Sequence, residues 1–238
     1  MTAVRAHSKS SRILVNETTA SCDITNYSLR HSRNLVQITT ICDDGARWLP
    51  GQLVGALALQ GLFNSTTGSF FREAADAVGV DNGYLVTALP EGFTVGTPAF
   101  LAVSDLSSFS VHANVKDAVK ASIDATPDDG IDWGVLLHDS TAETADGTGT
   151  ADDNAAASTN GSVANLHVTA LSGFTSVVFK VQSSPDNSVW SDFITFTTVT
   201  AATSERKTTT GAVPRYLRAF WDVTGSGSIT FYVAAARR

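Results

Sequence analysis

The chain has 238 residues, 43% apolar and 16% charged, with a formal charge of −7 at pH 7 and two cysteines. This is enough apolar material for one large or two ordinary globular domains, and too few cysteines for a disulfide framework. No apolar run approaches the roughly 20 residues of a membrane helix, and the basic N-terminus lacks an apolar signal core, which places synthesis in the cytoplasm without export.

Residues 1–12 carry Arg5, Lys9 and Arg12 with no acid and no periodicity, and read as an arm held only by a neighbour. Ile13-Leu-Val15 is a short strand, and strand-like stretches follow at Asp23–Ser28 and Leu35–Ile41. Asp43 to Gln52 reads as a loop with a Trp48-Leu49-Pro50 tip. Leu53, Leu57, Leu59 and Phe63 then share one parity of a half-buried strand. A Trp, a Leu and a Pro at a loop tip are costly to leave in water, so the tip is expected to dock.

Phe71, Ala74, Ala75 and Val78 fall at i, i+3, i+4 and i+7, which predicts one short helix with Ser69 as N-cap and Gly79 as its stop. Strands resume at Tyr84–Leu89 and Ala99–Val103. Val119, Ala121, Ile123 and Ala125 form an amphipathic strand, and Trp133, Val135 and Leu137 close the first domain. Residues 140–160 contain no Val, Ile, Leu or aromatic residue and read as a linker. From Val163 the period-two pattern restarts, through Val177, Phe179 and Val181 to Ile229, Phe231 and Val233, as expected for a small β-sandwich. The predicted organisation is an arm at 1–12, a β domain at 13–139, a linker at 140–160 and a second β domain at 161–238.

Charge is unevenly spread. Residues 1–139 hold 9 Lys/Arg against 15 Asp/Glu, residues 140–160 hold 4 acids and no base, and residues 161–238 hold 7 Lys/Arg against 4 Asp/Glu. An acidic first domain is poorly suited to gripping phosphate.

No phosphate loop, zinc motif or nucleophile elbow occurs. The five histidines stand singly and read as surface or satisfied structural residues. Asp43-Asp44 and Asp128-Asp129 read as turn residues and Asp152-Asp153 as part of the linker, rather than as acid–base or calcium pairs. Neither catalysis nor a cofactor or metal is expected. Cys22 and Cys42 read as reduced thiols behaving as small hydrophobes, although neighbouring strands would let them pair.

Two strand stretches around the Trp48-Leu49-Pro50 loop, one short helix near Phe71 and a separate C-terminal β module, in this order, resemble the major tail tube proteins of long-tailed bacteriophages. The resemblance spans residues 13–138. It implies a mainly β fold: an antiparallel sandwich or barrel with one helix, followed by an outward-facing β-sandwich. It implies hexameric rings stacked into a virion tail tube, contacts with other tail proteins, and transient passage of double-stranded DNA without specific binding. Arg47, Trp48, Leu49 and Pro50 would contact a neighbouring subunit or ring. Asp105, Asp117 and Asp124 are the candidates for an acidic lumen wall.

Lys180-Val-Gln-Ser-Ser-Pro-Asp-Asn-Ser-Val-Trp190 and Arg215-Tyr-Leu-Arg218 resemble discoidin-like jelly rolls. That likeness makes Arg215, Arg218 and Trp190 candidates for host-glycan contact. The alternative reading is therefore a virion decoration or cell-surface protein whose C-terminal module binds glycans. In the competing structural reading, Trp190 and Trp221 are core residues and the arginines solvate a strand face.

Overall fold

The computed structural model describes residues 8–238 except 67, 68, 82 and 140. Most of the predicted arm therefore lies outside the described residues. Its described end forms a 3-10 turn at Ser8–Ser10, and Arg12 already belongs to a strand.

The protein is mainly β. The first strands are β1 (Arg12–Val15), β2 (Thr18–Thr19), β3 (Ile24–Gln37), β4 (Trp48–Leu62), β5 (Tyr84–Leu89), β6 (Pro98–His112) and β7 (Lys120–His138). Three two-residue strands follow: β8 (Ala142–Glu143), β9 (Gly147–Thr148) and β10 (Asp152–Asp153). The last are β11 (Ser162–Ser184), β12 (Ser191–Thr195), β13 (Thr203–Thr209) and β14 (Tyr216–Arg237). The helix α1 covers only Phe70–Ala74, continued by a 3-10 turn at Ala75–Ala77. Phe71 and Ala74 are buried as expected, but Phe70 replaces Ala75 and Val78 on the inner face. Ser69 makes no capping bond; its hydroxyl donates to Asn64 O at 2.6 Å instead. Gly79, at φ +81°, ends the segment as predicted.

The chain divides into two compact units, and the division does not follow the predicted domains. One unit comprises residues up to Asp23, Tyr84–Leu101 and Asp132–Arg238; the other comprises Ile24–Gly83 and Ala102–Ile131.

In the first unit, β11 and β14 pair antiparallel along nearly their whole length, from Ser162↔Arg237 to Ser184↔Tyr216. The register shifts near Gly173 (φ +84°) and Gly225 (φ +100°), where positive φ lets both strands depart from regular pairing together. β12 and β13 pair with β11. β14 pairs with β7 through Val233–Ala236. One core gathers Leu166, Val168, Phe179, Trp221, Phe231 and Val233 with Leu137. A second lies on the opposite parity, where Val163, Tyr232, Ala234 and Ala236 pack with Leu14, Leu89, Leu101 and Leu136. The ends of β11 and β14 are thus buried on both faces, and β1, β5 and β6 cover the second one beside Leu136 of β7.

The expected linker is structured. β8, β9 and β10 each pair with β14. Gly149 N donates to Ala219 O at 2.9 Å and Trp221 Nε1 donates to Ala145 O at 2.9 Å. A stretch without large apolar residues builds no core of its own, but backbone hydrogen bonds still seat it on a neighbour that has one.

In the second unit, β3 pairs with β4, β4 with β7 and β7 with β6. Leu57, Leu59, Ala121, Ile123 and Ala125 form the buried parity. Cys22 and Cys42 are free and exposed, one in each unit, so neither acts as a buried hydrophobe.

Candidate functional site

The strongest surface feature is the ribbon of β3 and β4. Its ladder runs from Ile24↔Gly61 out to Gln37↔Trp48, whereas β4 meets β7 only over Leu57–Leu62. The outer half is therefore a two-stranded ribbon with no flanking paired strand among the described residues. Such ribbons are marginal alone in water.

Trp48, Leu49 and Pro50 do not lie in a loop, as the sequence suggested; they open β4. Their partners are Gln37, Val36 and Leu35. Proline has no N–H for a ladder, and the register shift between Arg33 and Leu35 falls beside Pro50. Directly opposed residues share a face and alternate along the strand. One face of the outer ribbon thus shows Leu35, Trp48 and Pro50, and the other Val36 and Leu49. Leu35, Val36, Trp48 and Leu49 are each more than half exposed, and Ile38 and Ile41 are exposed in the turn beyond.

The turn itself is ordered by short-range bonds. Asp43 accepts from Thr40 N at 2.7 Å, from the Thr40 hydroxyl at 2.9 Å and from Arg47 Nη1 at 3.2 Å. These donors, the Thr40 N–H foremost, hold the Asp43 carboxyl below its usual pKa. Arg47 is therefore placed beside the apolar tip by Asp43. The sequence reading named this side of the tip and missed Leu35, Val36, Ile38 and Ile41, because Leu35-Val-Gln-Ile has no single apolar parity.

The three candidate lumen acids do not form one cluster. Asp124 is exposed on β7, where Oδ2 accepts from Ser108 Oγ at 2.9 Å. Asp117 lies in the turn before β7, paired with Lys120 Nζ at 2.5 Å, and this bond chiefly lowers its pKa. Asp105 is half-buried within β6. By register, the face that carries Asp124 also carries Ser28, Arg30, Ala56, Ala58, Lys120 and Ser122. That face is small and polar, with both signs of charge.

Of the candidate glycan contacts, Arg218 and Trp190 meet, with the guanidinium carbon 4.1 Å from the ring centroid. Arg218 also donates twice to Gln182 Oε1, at 3.0 and 2.9 Å. Arg215 turns away to a bidentate pair with Asp153, at 2.6 and 2.7 Å. Trp221 is core, as the structural reading had it, whereas Trp190 is only half-buried. In the turn before it, Asp186 accepts from Ser188 N and Val189 N at 3.0 and 3.1 Å, bonds that hold its carboxyl well below the usual range.

No protein-family model and no curated protein matches the chain. Among solved structures, a chain from the virion of the native gene transfer agent particle is similar at 10% identity over 54% of this chain and 98% of its own, with a TM-score of 0.43. The SPP1 Dit (gp 19.1) protein, described as a paradigm of the hub adsorption apparatus in Gram-positive infecting phages, is similar at 10% identity over 95% of this chain and 99% of its own, with a TM-score of 0.40.

Proposed function

We propose that the protein is a self-assembling structural component of a virion tail, and that its β3–β4 ribbon is the arm that joins one copy to the next. The ribbon carries this reading. It is apolar on both faces and ordered at its tip, so a cover on one side would leave half its cost in place. Insertion between neighbouring copies satisfies both faces, and the unpaired outer edge of β3 can extend a neighbour's sheet. Stacked rings around a DNA conduit are the assembly that the tail tube resemblance implies. In that assembly the small polar face of β3, β4 and β7, with Asp124 on it, is the candidate wall. Its mixed charge suits passage of DNA without retention better than a basic groove would.

The test is assembly of the full chain with Trp48→Ser and Leu49→Ser. Burying these two side chains at each contact contributes on the order of several kcal/mol. The parent chain is expected to form rings or tubes by negative-stain microscopy and native mass measurement. The double variant should keep its circular dichroism spectrum and remain monomeric. A parent chain that stays monomeric at high concentration, or a variant that assembles equally well, overturns the reading.

A further inference from the structure

A second surface, in the first unit, has chemistry that assembly does not use. Where β10 pairs with β14 near β7, Trp133, Gly134, Asp152, Asn154, Leu217 and Arg237 line a recess of about 260 Å³. The two acids of β10 have opposite surroundings. Asp153 receives two bonds from Arg215 and one from Ala155 N at 2.8 Å, and its pKa is lowered to about 2. Asp152 lines the recess, and no hydrogen-bond donor among the described residues reaches its carboxylate. Burial raises its pKa, against the opposing charge of Arg237. A carboxylate taken partly out of water without a donor is destabilising, and evolution of a stable fold alone gives no reason to keep one.

The groups around it are held in position. Arg237 donates Nη1 to Val213 O at 3.1 Å and Nη2 to Arg215 O at 2.8 Å, which fixes its guanidinium at the rim with N–H groups to spare. Asn154 spends Nδ2 on Ala156 O at 2.9 Å and leaves Oδ1 as an acceptor. Trp133 touches Phe100, ring centroids 5.0 Å apart, yet is 67% exposed. Gly134 lets β7 run hard against β14 behind the recess: a Cβ there would lie 2.0 Å from Ala235 O.

We infer that this recess is a subsite for one neutral pyranose unit, with Trp133 as the stacking platform, Asp152 and Asn154 accepting from ring hydroxyls and Arg237 donating to one. Three features select this class. Arg237 in the recess opposes a cation, Asp152 opposes an anion, and the volume lies just below the range of pockets for larger organic ligands. The site is separate from the Lys180–Trp190 turn, where Arg218 already occupies the ring of Trp190.

Saturation-transfer NMR on the full chain tests it, with methyl glucoside, galactoside, mannoside and N-acetylglucosaminide as probes and tetramethylammonium as the cationic comparison. At least one pyranoside should bind with a dissociation constant of about 1 mM. Trp133→Ala and Asp152→Ala should each weaken it by about tenfold, and Trp190→Ala should leave it unchanged. Asp152→Asn, which removes the buried charge, should melt no lower than the parent chain. Absence of binding by every pyranoside at about 50 mM, tighter binding of tetramethylammonium, unchanged affinity in Trp133→Ala, or a lower melting point for Asp152→Asn overturns the assignment.

Discussion

At the residue scale the most consequential side chain is His167. It is fully buried, with Nδ1 donating to Asn16 O at 2.7 Å and Nε2 accepting from the Thr87 hydroxyl at 2.8 Å. Asn165 donates to Thr87 Oγ1 at 3.1 Å and accepts from Arg206 Nη1 at 3.0 Å, and Arg206 pairs with Asp132. The network ties the turn after β1, β5, β11 and β13 together. Among the described residues no carboxylate is bonded to the ring, and burial lowers its pKa to about 4. Between pH 6.5 and about 4 the unfolded chain therefore binds a proton that the native state refuses. Stability is full above pH 6.5 and falls as pH drops, by up to about 1.4 kcal/mol per pH unit and on the order of 3 kcal/mol in all. The hydrogen-bonded acids Asp153, Asp192 and Glu205, whose pKa values are lowered, add losses in the same direction only below about pH 4.5. Asp152, raised by burial, works weakly the other way. Urea midpoints at pH 7, 6 and 5 should show the decline, and His167→Gln should be less stable at pH 7 but nearly flat across the range. An unchanged slope in that variant would remove His167 as the cause. The sequence alone leaves His167 as either a surface or a satisfied structural histidine, and the structure makes it the second. What stayed hidden was its depth, because Asn165 and His167 look like the solvent face of an alternating strand.

At the element scale, period two located β7 and much of β11 and β14, since apolar alternation directly reports a half-buried strand, whereas β1 and β5 stand out only as short apolar stretches and are buried on both faces. It misled in two places. Along Ser162–Val168 and Phe231–Ala236 both faces are buried, so the strand ends have no wet side to reveal. Along 141–160 the residues bury almost nothing of their own, and composition could not show that their backbones dock on β14. Gly147 tests that docking: a Cβ there would come within 2.3 Å of the Trp221 ring, which is itself in the core. Gly147→Ala should cost about 1–3 kcal/mol through overpacking. Limited proteolysis should then cut between residues 141 and 160 far faster than in the parent chain. Equal cutting rates would mean that the segment is already free, as a linker would be.

At the scale of the whole molecule, the predicted boundary at 140–160 separates residues that share a core. The expectation of two domains in series came from two apolar stretches on either side of a polar one. The structure instead returns β14 to β7 and covers the second face of β11 and β14 with β1, β5 and β6. The assembly ribbon was legible only in part: Trp48, Leu49 and Pro50 announced an apolar tip, but its other strand did not. A chain ending at residue 139 decides between the two organisations. It would lose Val163, Tyr232, Ala234 and Ala236, which pack against Leu14, Leu89, Leu101 and Leu136, and it would leave the β14 side of β7 unpaired. Large apolar residues stripped of partners on one face lose on the order of 1.5–3 kcal/mol each, more than the whole stability of a typical domain once several are counted. Amide exchange in β1 and β5 should therefore be slow in the full chain and fast in the shortened one. Slow exchange at Leu14 and Leu89 in the shortened chain would restore the serial two-domain arrangement, and the C-terminal strands would then be an appendage rather than one wall of the core.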